Sequence, residues 1–109
     1  MAGMILFEDE EFILADFSDN FRIDLRLVLK KEYRSARIYA FVYDDRNAFV
    51  RLELSSKHYF QRINYTRIIN ITDYNDLRHK LLNIKTPKDF IINFIKLISP
   101  QMAKVIRGG

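Results

Sequence analysis

The stretch that decides the fold is RIYAFVYDDRNAFVRLEL, residues 37–54. It holds two runs with apolar residues at every second position, on either side of the polar segment DDRN, residues 44–47. Alternation with a period of two around a polar turn is typical of a β-hairpin. In-phase pairing predicts that one face of this hairpin packs against the core, and that face carries Ile38, Ala40, Val42, Val50, Leu52 and Leu54.

The second face of the hairpin is aromatic and cationic, whereas a hairpin that meets water on one side usually carries polar residues there. Its residues are Arg37, Tyr39, Phe41, Tyr43, Phe49, Arg51 and Glu53. Large exposed aromatic surfaces are rare on monomers. Three interpretations remain open: cover by the N-terminal strands folded across as a second sheet, a protein interface such as a homodimer, or bound single-stranded nucleic acid.

The residues before the hairpin predict further strands. MILF, residues 4–7, and EFILADF, residues 11–17, flank a charged turn and predict an N-terminal hairpin. FRIDLRLVLKK, residues 21–31, alternates most clearly of all. Its predicted inner face is Phe21, Ile23, Leu25, Leu27 and Leu29, and its outer face is Arg22, Asp24, Arg26 and Lys30.

The pattern changes after residue 54. SSKHYFQRINYTRIIN, residues 55–70, fits either a helix or a strand, and we predict a helix over about 56–63 and a strand over about 65–71. Thr72 is the predicted N-cap of the next helix.

TPKDFIINFIKLISP, residues 86–100, gives the strongest helix signal. Thr86 is its predicted cap, Pro87 its first residue and Ser99-Pro100 its end. A short final helix is predicted over residues 101–107.

Strands first and helices after predict an α+β fold. We expect an antiparallel β-meander of four to five strands in the N-terminal half, packed against two to three C-terminal helices. The length of 109 residues predicts a single domain over 1–109, with residues 1–3 as a disordered or cloning-derived leader.

Charge is distributed unevenly along the chain. Residues 1–20 carry six acidic and no basic side chains, a net charge of −6, whereas residues 21–109 carry a net charge of +10. Basic domains attract polyanions through long-range fields and counterion release. Nucleic acid is therefore the first partner to consider.

The residue inventory argues against several kinds of chemistry. The chain has no Cys, two His and three Gly, so thiolate sites, histidine zinc sites and glycine-rich phosphate loops lack their residues. The carboxylates Asp44, Asp45 and Glu53, with Lys57 nearby, invite a nuclease interpretation, but acids in a hairpin turn are more often turn formers. We expect no catalytic residues, no metal and no cofactor, hence a protein that is not an enzyme.

The sequence shows no secretory signal and no apolar stretch of membrane-spanning length. We therefore expect a cytoplasmic or nuclear protein with no membrane partner.

Together these observations predict a small basic binding protein, with nucleic acid as its partner. The predicted phosphate contacts are Arg37, Arg51, Arg62 and Arg67, and the predicted stacking groups are Tyr39, Phe41 and Tyr43, beside Phe49 on the same face. The alternative is a protein-interaction or assembly module whose aromatic hairpin face forms a homodimer or a hetero-complex.

Overall fold

A computed structural model describes residues 3–31, 34–56 and 61–96. Within these residues the chain forms six strands and then two helices: β1 (Met4–Glu8), β2 (Phe12–Asp16), β3 (Arg22–Leu29), β4 (Arg34–Val42), β5 (Asn47–Ser56), β6 (Gln61–Asn70), α1 (Ile71–Leu82) and α2 (Pro87–Lys96). The strands lie in one sheet in sequence order, each antiparallel to the next. The predicted α+β meander with C-terminal helices is confirmed, and the correct number of strands is six instead of four to five.

The additional strand length comes from residues that the local pattern left ambiguous. The predicted helix over about 56–63 is wrong at both ends, because β5 includes Ser56 and β6 begins at Gln61. Residues 57–60 lie outside the described part of the chain. β6 pairs with β5 from Ser56↔Gln61 to Asn47↔Asn70. The ladder satisfies the backbone donors and acceptors of β6 that face β5, and this outweighs a weak local helix preference.

The N-terminal strands extend the sheet and do not cover it. β2 pairs with β3 over five residues, among them Leu14 opposite Leu27, and β1 pairs with β2 through a register shift between Ile5 and Phe7. The interpretation that these strands fold across as a second sheet is therefore wrong.

The core lies between one face of the sheet and the two helices. The sheet contributes Leu14, Ile23, Leu25, Leu27, Ile38, Ala40, Ala48, Val50 and Leu52, and the helical segment contributes Tyr74, Leu77, Leu81, Ile84, Phe90 and Phe94. The predicted inner faces of the third strand and of the hairpin are therefore largely confirmed. Burying an aliphatic or aromatic side chain of this kind stabilises a fold by about 1.5–3 kcal/mol.

Two residues of the predicted inner faces are exposed instead. Phe21 is 82% exposed and Val42 is 46% exposed. Phe21 precedes the first residue of β3, and Val42 is the last residue of β4. Both lie at the end of the sheet, where the core stops, so strand alternation no longer determines burial there.

The predicted N-cap is confirmed for α2 and is wrong for α1. Thr86 caps α2 by accepting a hydrogen bond from the Asp89 backbone N–H at 3.2 Å, as predicted. Asn70, and not Thr72, caps α1, since its side chain accepts from the Asp73 backbone N–H at 2.8 Å. The predicted helix end at Ser99-Pro100 and the short helix over 101–107 lie outside the described residues.

Candidate functional site

The candidate site lies on the face of the sheet opposite the helices. Strand alternation brings every second side chain of β3, β4 and β5 to this side. We call nine of them the aromatic face: Arg22, Asp24, Arg26, Arg37, Tyr39, Phe41, Phe49, Arg51 and Glu53. Both helices pack against the other side. Within residues 3–31, 34–56 and 61–96, no helix or strand lies over the aromatic face.

Three rings form a continuous row across β4 and β5. The ring centroids of Tyr39 and Phe41 are 5.9 Å apart with an interplanar angle of 61°, an edge-to-face contact. Phe41 and Phe49 are directly opposite each other across the strands, and their rings stack at 5.0 Å and 28°. Each ring is half-buried by its neighbours. The row therefore presents a pre-formed aromatic surface whose outer side faces away from the core.

Asp24 accepts hydrogen bonds from two arginine side chains of the face. Arg37 donates to it through two hydrogen bonds, Nε to Oδ1 at 2.8 Å and Nη2 to Oδ2 at 2.9 Å. Arg26 makes the same two contacts at 3.2 and 3.1 Å. Asp24 is only 2% exposed because these two guanidinium groups lie over it. One carboxylate thus fixes two arginine side chains in place.

Burial by itself raises the pKa of Asp24, because it penalises the charged form. The hydrogen bonds from Arg37 and Arg26 outweigh that penalty, so the pKa of Asp24 lies below its usual value. The hydrogen bond with Asp24 also raises the pKa of Arg37. Both groups are therefore charged at neutral pH.

The network continues to Glu53 on β5. Arg37 Nη1 lies 3.5 Å from Glu53 Oε2, and Arg51 Nη1 lies 3.9 Å from Glu53 Oε1. Arg37 therefore uses all three of its guanidinium nitrogens within the network. Arg51 is less committed, because its buried Nε has no hydrogen-bond partner among the described residues.

Guanidinium groups also lie over the rings. Arg37 is 4.8 Å from the centroid of the Tyr39 ring, and Arg51 is 5.4 Å from that of Phe49. Arg26 lies 4.1 Å from the ring of Phe17. Cation–π contacts within about 6 Å are attractive. Rings and arginines on this face therefore hold one another in fixed positions.

The structure brings together most of the predicted binding residues, but not all of them. Arg37, Tyr39, Phe41, Phe49 and Arg51 lie side by side on the aromatic face, as the hairpin pattern predicts. Tyr43 lies beyond the end of β4, in the turn, and is exposed.

The two predicted arginines of β6 are placed differently. Arg67 pairs with Val50, so it lies on the helical side of the sheet, away from the rings. Arg62 pairs with Ser55, and its side chain is outside the described part of the structure.

Sequence reasoning did not connect the third strand to the site. Its period of two placed Arg22, Asp24 and Arg26 on a polar face, but it left open whether that face joins the aromatic side of the hairpin. The pairing Asp24↔Tyr39 joins them. The missing information was the register between two strands, which a single-strand pattern does not contain.

The carboxylates at the hairpin tip form the turn. Asp44 Oδ1 accepts backbone hydrogen bonds from Arg46 and Asn47, both at 2.8 Å. The same two bonds lower the pKa of Asp44. Lys57 lies outside the described residues. Among the residues that the structure describes, no three His, Asp or Glu side chains are grouped as metal ligands.

The fold and the face define an α+β protein with a six-stranded open sheet in its described part, helices on one face and an aromatic, arginine-rich surface on the other. Comparison of the chain with protein-family models, curated proteins and solved structures finds no match. Neither described helix has the length and apolar character needed to cross a membrane.

Proposed function

We propose that the protein binds single-stranded nucleic acid on the aromatic face. The observation that carries the proposal is the row of three rings, Tyr39, Phe41 and Phe49, on a sheet face that no described helix or strand covers. Bases stack on such rings with little dependence on sequence, at about 1–3 kcal/mol per base.

The exposed fractions of the charged side chains support a polyanion as the ligand. The side chains of Arg26 and Arg51 are 44% and 43% exposed, whereas those of Asp24 and Glu53 are 3% and 19% exposed. The carboxylates lie beneath and the guanidinium groups lie above them. The outer layer of the face is therefore cationic, although ion pairs neutralise part of its charge.

The geometry also revises the roles of the arginines. Arg37 uses all three of its guanidinium nitrogens in contacts with Asp24 and Glu53, so in the proposal it positions the face and is not a phosphate contact. The side chains of Arg22, Arg26 and Arg51 are 47%, 44% and 43% exposed, more than the 31% of Arg37. These three are the phosphate contacts of the proposal.

The experiment measures binding of a fluorescent single-stranded oligonucleotide, as DNA and as RNA, by anisotropy at low salt. Phe41→Leu and Phe49→Leu keep an apolar side chain but remove the flat ring, and each should weaken binding roughly tenfold. Tyr65→Leu is the matched control, because Tyr65 pairs with Leu52 and lies on the helical side of the sheet. Its affinity should equal that of the wild type.

A second candidate function is a protein interface on the same face. Ile68 on β6 pairs with Phe49 and is 53% exposed, which extends the apolar part of the surface to the edge of the sheet. Light scattering distinguishes the two candidates. If the wild type forms a dimer that Phe41→Leu dissociates, and if the wild type binds no oligonucleotide at low salt, the protein interface replaces nucleic-acid binding as the proposed function.

A further inference from the structure

A hollow of about 560 Å³ opens at the end of the sheet where β3 begins and β4 ends. We call it the end hollow, and its lining residues are Asn20, Phe21, Arg22, Tyr39, Phe41, Val42, Tyr74, Asn75 and Arg78. Its volume falls within the range of small-molecule sites. Tyr39 and Phe41 belong to both the hollow and the aromatic face, so the two surfaces are continuous.

Two arginines in the hollow are held by the turn between β2 and β3. Arg22 Nε lies 3.3 Å from Asp19 Oδ2, and Arg78 Nη2 donates to the Asp19 backbone carbonyl at 3.2 Å. Asp19 Oδ1 itself accepts the backbone N–H groups of Phe21 and Arg22, at 2.8 and 3.0 Å, which fixes the turn. One turn thus orients two guanidinium groups toward the same hollow, and none of the described residues that line it is acidic.

The hollow also has an unusually exposed ring. Phe21 lies at its rim and is 82% exposed, although Phe is a residue that folded proteins usually bury. Asn20 and Asn75 add amide groups that can donate and accept hydrogen bonds. These groups suit the parts of a nucleotide. The ring can stack on a base, the two guanidinium groups can bind a phosphate, and the amides can hydrogen-bond to base or sugar edges.

We infer that the end hollow binds a nucleoside monophosphate unit, with its phosphate at Arg22 and Arg78 and its base against Phe21. Because the hollow is continuous with the aromatic face, the unit is the phosphorylated end of a bound strand. That assignment rests on the proposed function. A free nucleoside monophosphate carries the same chemistry, and the experiment separates the two sources.

The experiment compares the affinities of oligonucleotides of one sequence that carry a 5′-phosphate, a 3′-phosphate or neither. Adenosine monophosphate is titrated separately, and amide NMR shifts report where it binds. One phosphorylated end should bind the wild type about tenfold tighter than the unphosphorylated strand, as expected for charge-assisted hydrogen bonds. Phe21→Leu and Arg78→Gln should each remove most of that preference.

Arg46→Gln is the matched control, because Arg46 is exposed in the β4–β5 turn and does not line the hollow. It should keep the phosphate preference. Arg78→Lys keeps the charge and should restore part of the preference lost in Arg78→Gln, which separates a loss of binding from a loss of folding.

The outcomes also separate this inference from the proposed function. Equal affinity for all three oligonucleotides, together with no amide shifts around Phe21 and Arg78 on addition of adenosine monophosphate, would overturn the inference even if the strand binds. Shifts confined to the end hollow in a protein that binds no oligonucleotide would support a free nucleotide as the ligand and overturn the proposed function alone.

Discussion

Asp24 is almost completely buried on a face that no described helix or strand covers, because two arginines lie over it. Its backbone is fixed as well, since its N–H donates to Ser18 Oγ and its carbonyl accepts from the Phe17 N–H, both at 2.8 Å. A buried carboxylate of this kind is tolerated only while its partners are present. Asp24 in turn holds the guanidinium groups of Arg26 and Arg37 through four hydrogen bonds.

Asp24→Asn should destabilise the protein by about 3 kcal/mol, the low end for breaking a buried ion pair, because both guanidinium groups are partly exposed and regain water. Asp45→Asn, at the exposed tip of the hairpin, is the matched control and should change stability by less than about 0.5 kcal/mol. The measurement is chemical unfolding near pH 7.

Asp24→Asn also tests how the stability of the protein depends on pH. The unfolded carboxyl takes up a proton near its ordinary pKa of 3.8, while the folded one resists because its pKa is lowered. The stability that Asp24 contributes is therefore present above about pH 4 and is lost as pH falls through the folded pKa. The stability difference between wild type and Asp24→Asn should shrink in that acidic range. A constant difference from neutral pH down to about pH 2 would contradict the assignment.

At the scale of elements, the junction between β6 and α1 shows how the sheet fixes the start of a helix. Asn70 is the last residue of β6 and pairs with Asn47, and the next residue, Ile71, donates its backbone N–H to the Arg46 carbonyl at 2.8 Å. The strand ladder thus ends at residue 70, and the helix begins immediately. Asn70 is in position to cap, whereas Thr72 already lies inside the first turn.

Asn70→Ala should destabilise the protein by about 1 kcal/mol, since it removes the hydrogen bond to the Asp73 N–H. Thr72→Ala tests the cap that the sequence predicts, and it should be neutral or slightly stabilising because Ala has the higher helix propensity. Thermal unfolding of both variants measures the difference. A larger loss in Thr72→Ala than in Asn70→Ala would show that the helix begins two residues later.

At the scale of the whole molecule, the acidic turn between β1 and β2 and the end hollow lie at opposite ends of the sheet. The acidic run at residues 8–11 comprises the last residue of β1 and the β1–β2 turn, and it lies next to the end of β3 because Phe12 pairs with Leu29. Lys30 Nζ holds this turn through Glu8 Oε2 and the Asp9 carbonyl, both at 2.8 Å. The end hollow lies at the start of β3. We therefore expect a polyanion to avoid the acidic turn and to bind on the aromatic face toward the end hollow.

This charge distribution predicts the salt dependence of binding. If Arg22, Arg26 and Arg51 neutralise three phosphates, the logarithm of the affinity for an unphosphorylated strand should fall with the logarithm of salt concentration at a slope of about −2. Arg51→Gln should make the slope shallower by about 0.7, and Arg46→Gln should not change it. Anisotropy titrations over several salt concentrations give the slope. A slope near zero would mean that the face binds without phosphate contacts.

The sequence predicted the hairpin over residues 37–54 with its two faces, the clear strand before it and the cap of α2. These features follow from alternation and capping chemistry, which act over a few neighbouring residues. It did not predict the strand identity of residues 61–63 or the cap at Asn70. Both depend on the ladder between β5 and β6, and long-range pairing overrides local preference.

The sequence by itself determined that Tyr39, Phe41 and Phe49 share a face and that this face differs from the aliphatic one, because side chains alternate along any strand. Only the tertiary structure decided that the N-terminal strands leave this face open and that Asp24 joins it. Those facts depend on which strands pair and in what register, and pairing is a property of the whole sheet. The same pairing places the Arg37 guanidinium on Asp24 and leaves the buried Arg51 Nε without a hydrogen-bond partner among the described residues, so the tertiary structure also decided how the predicted arginines are used within the protein.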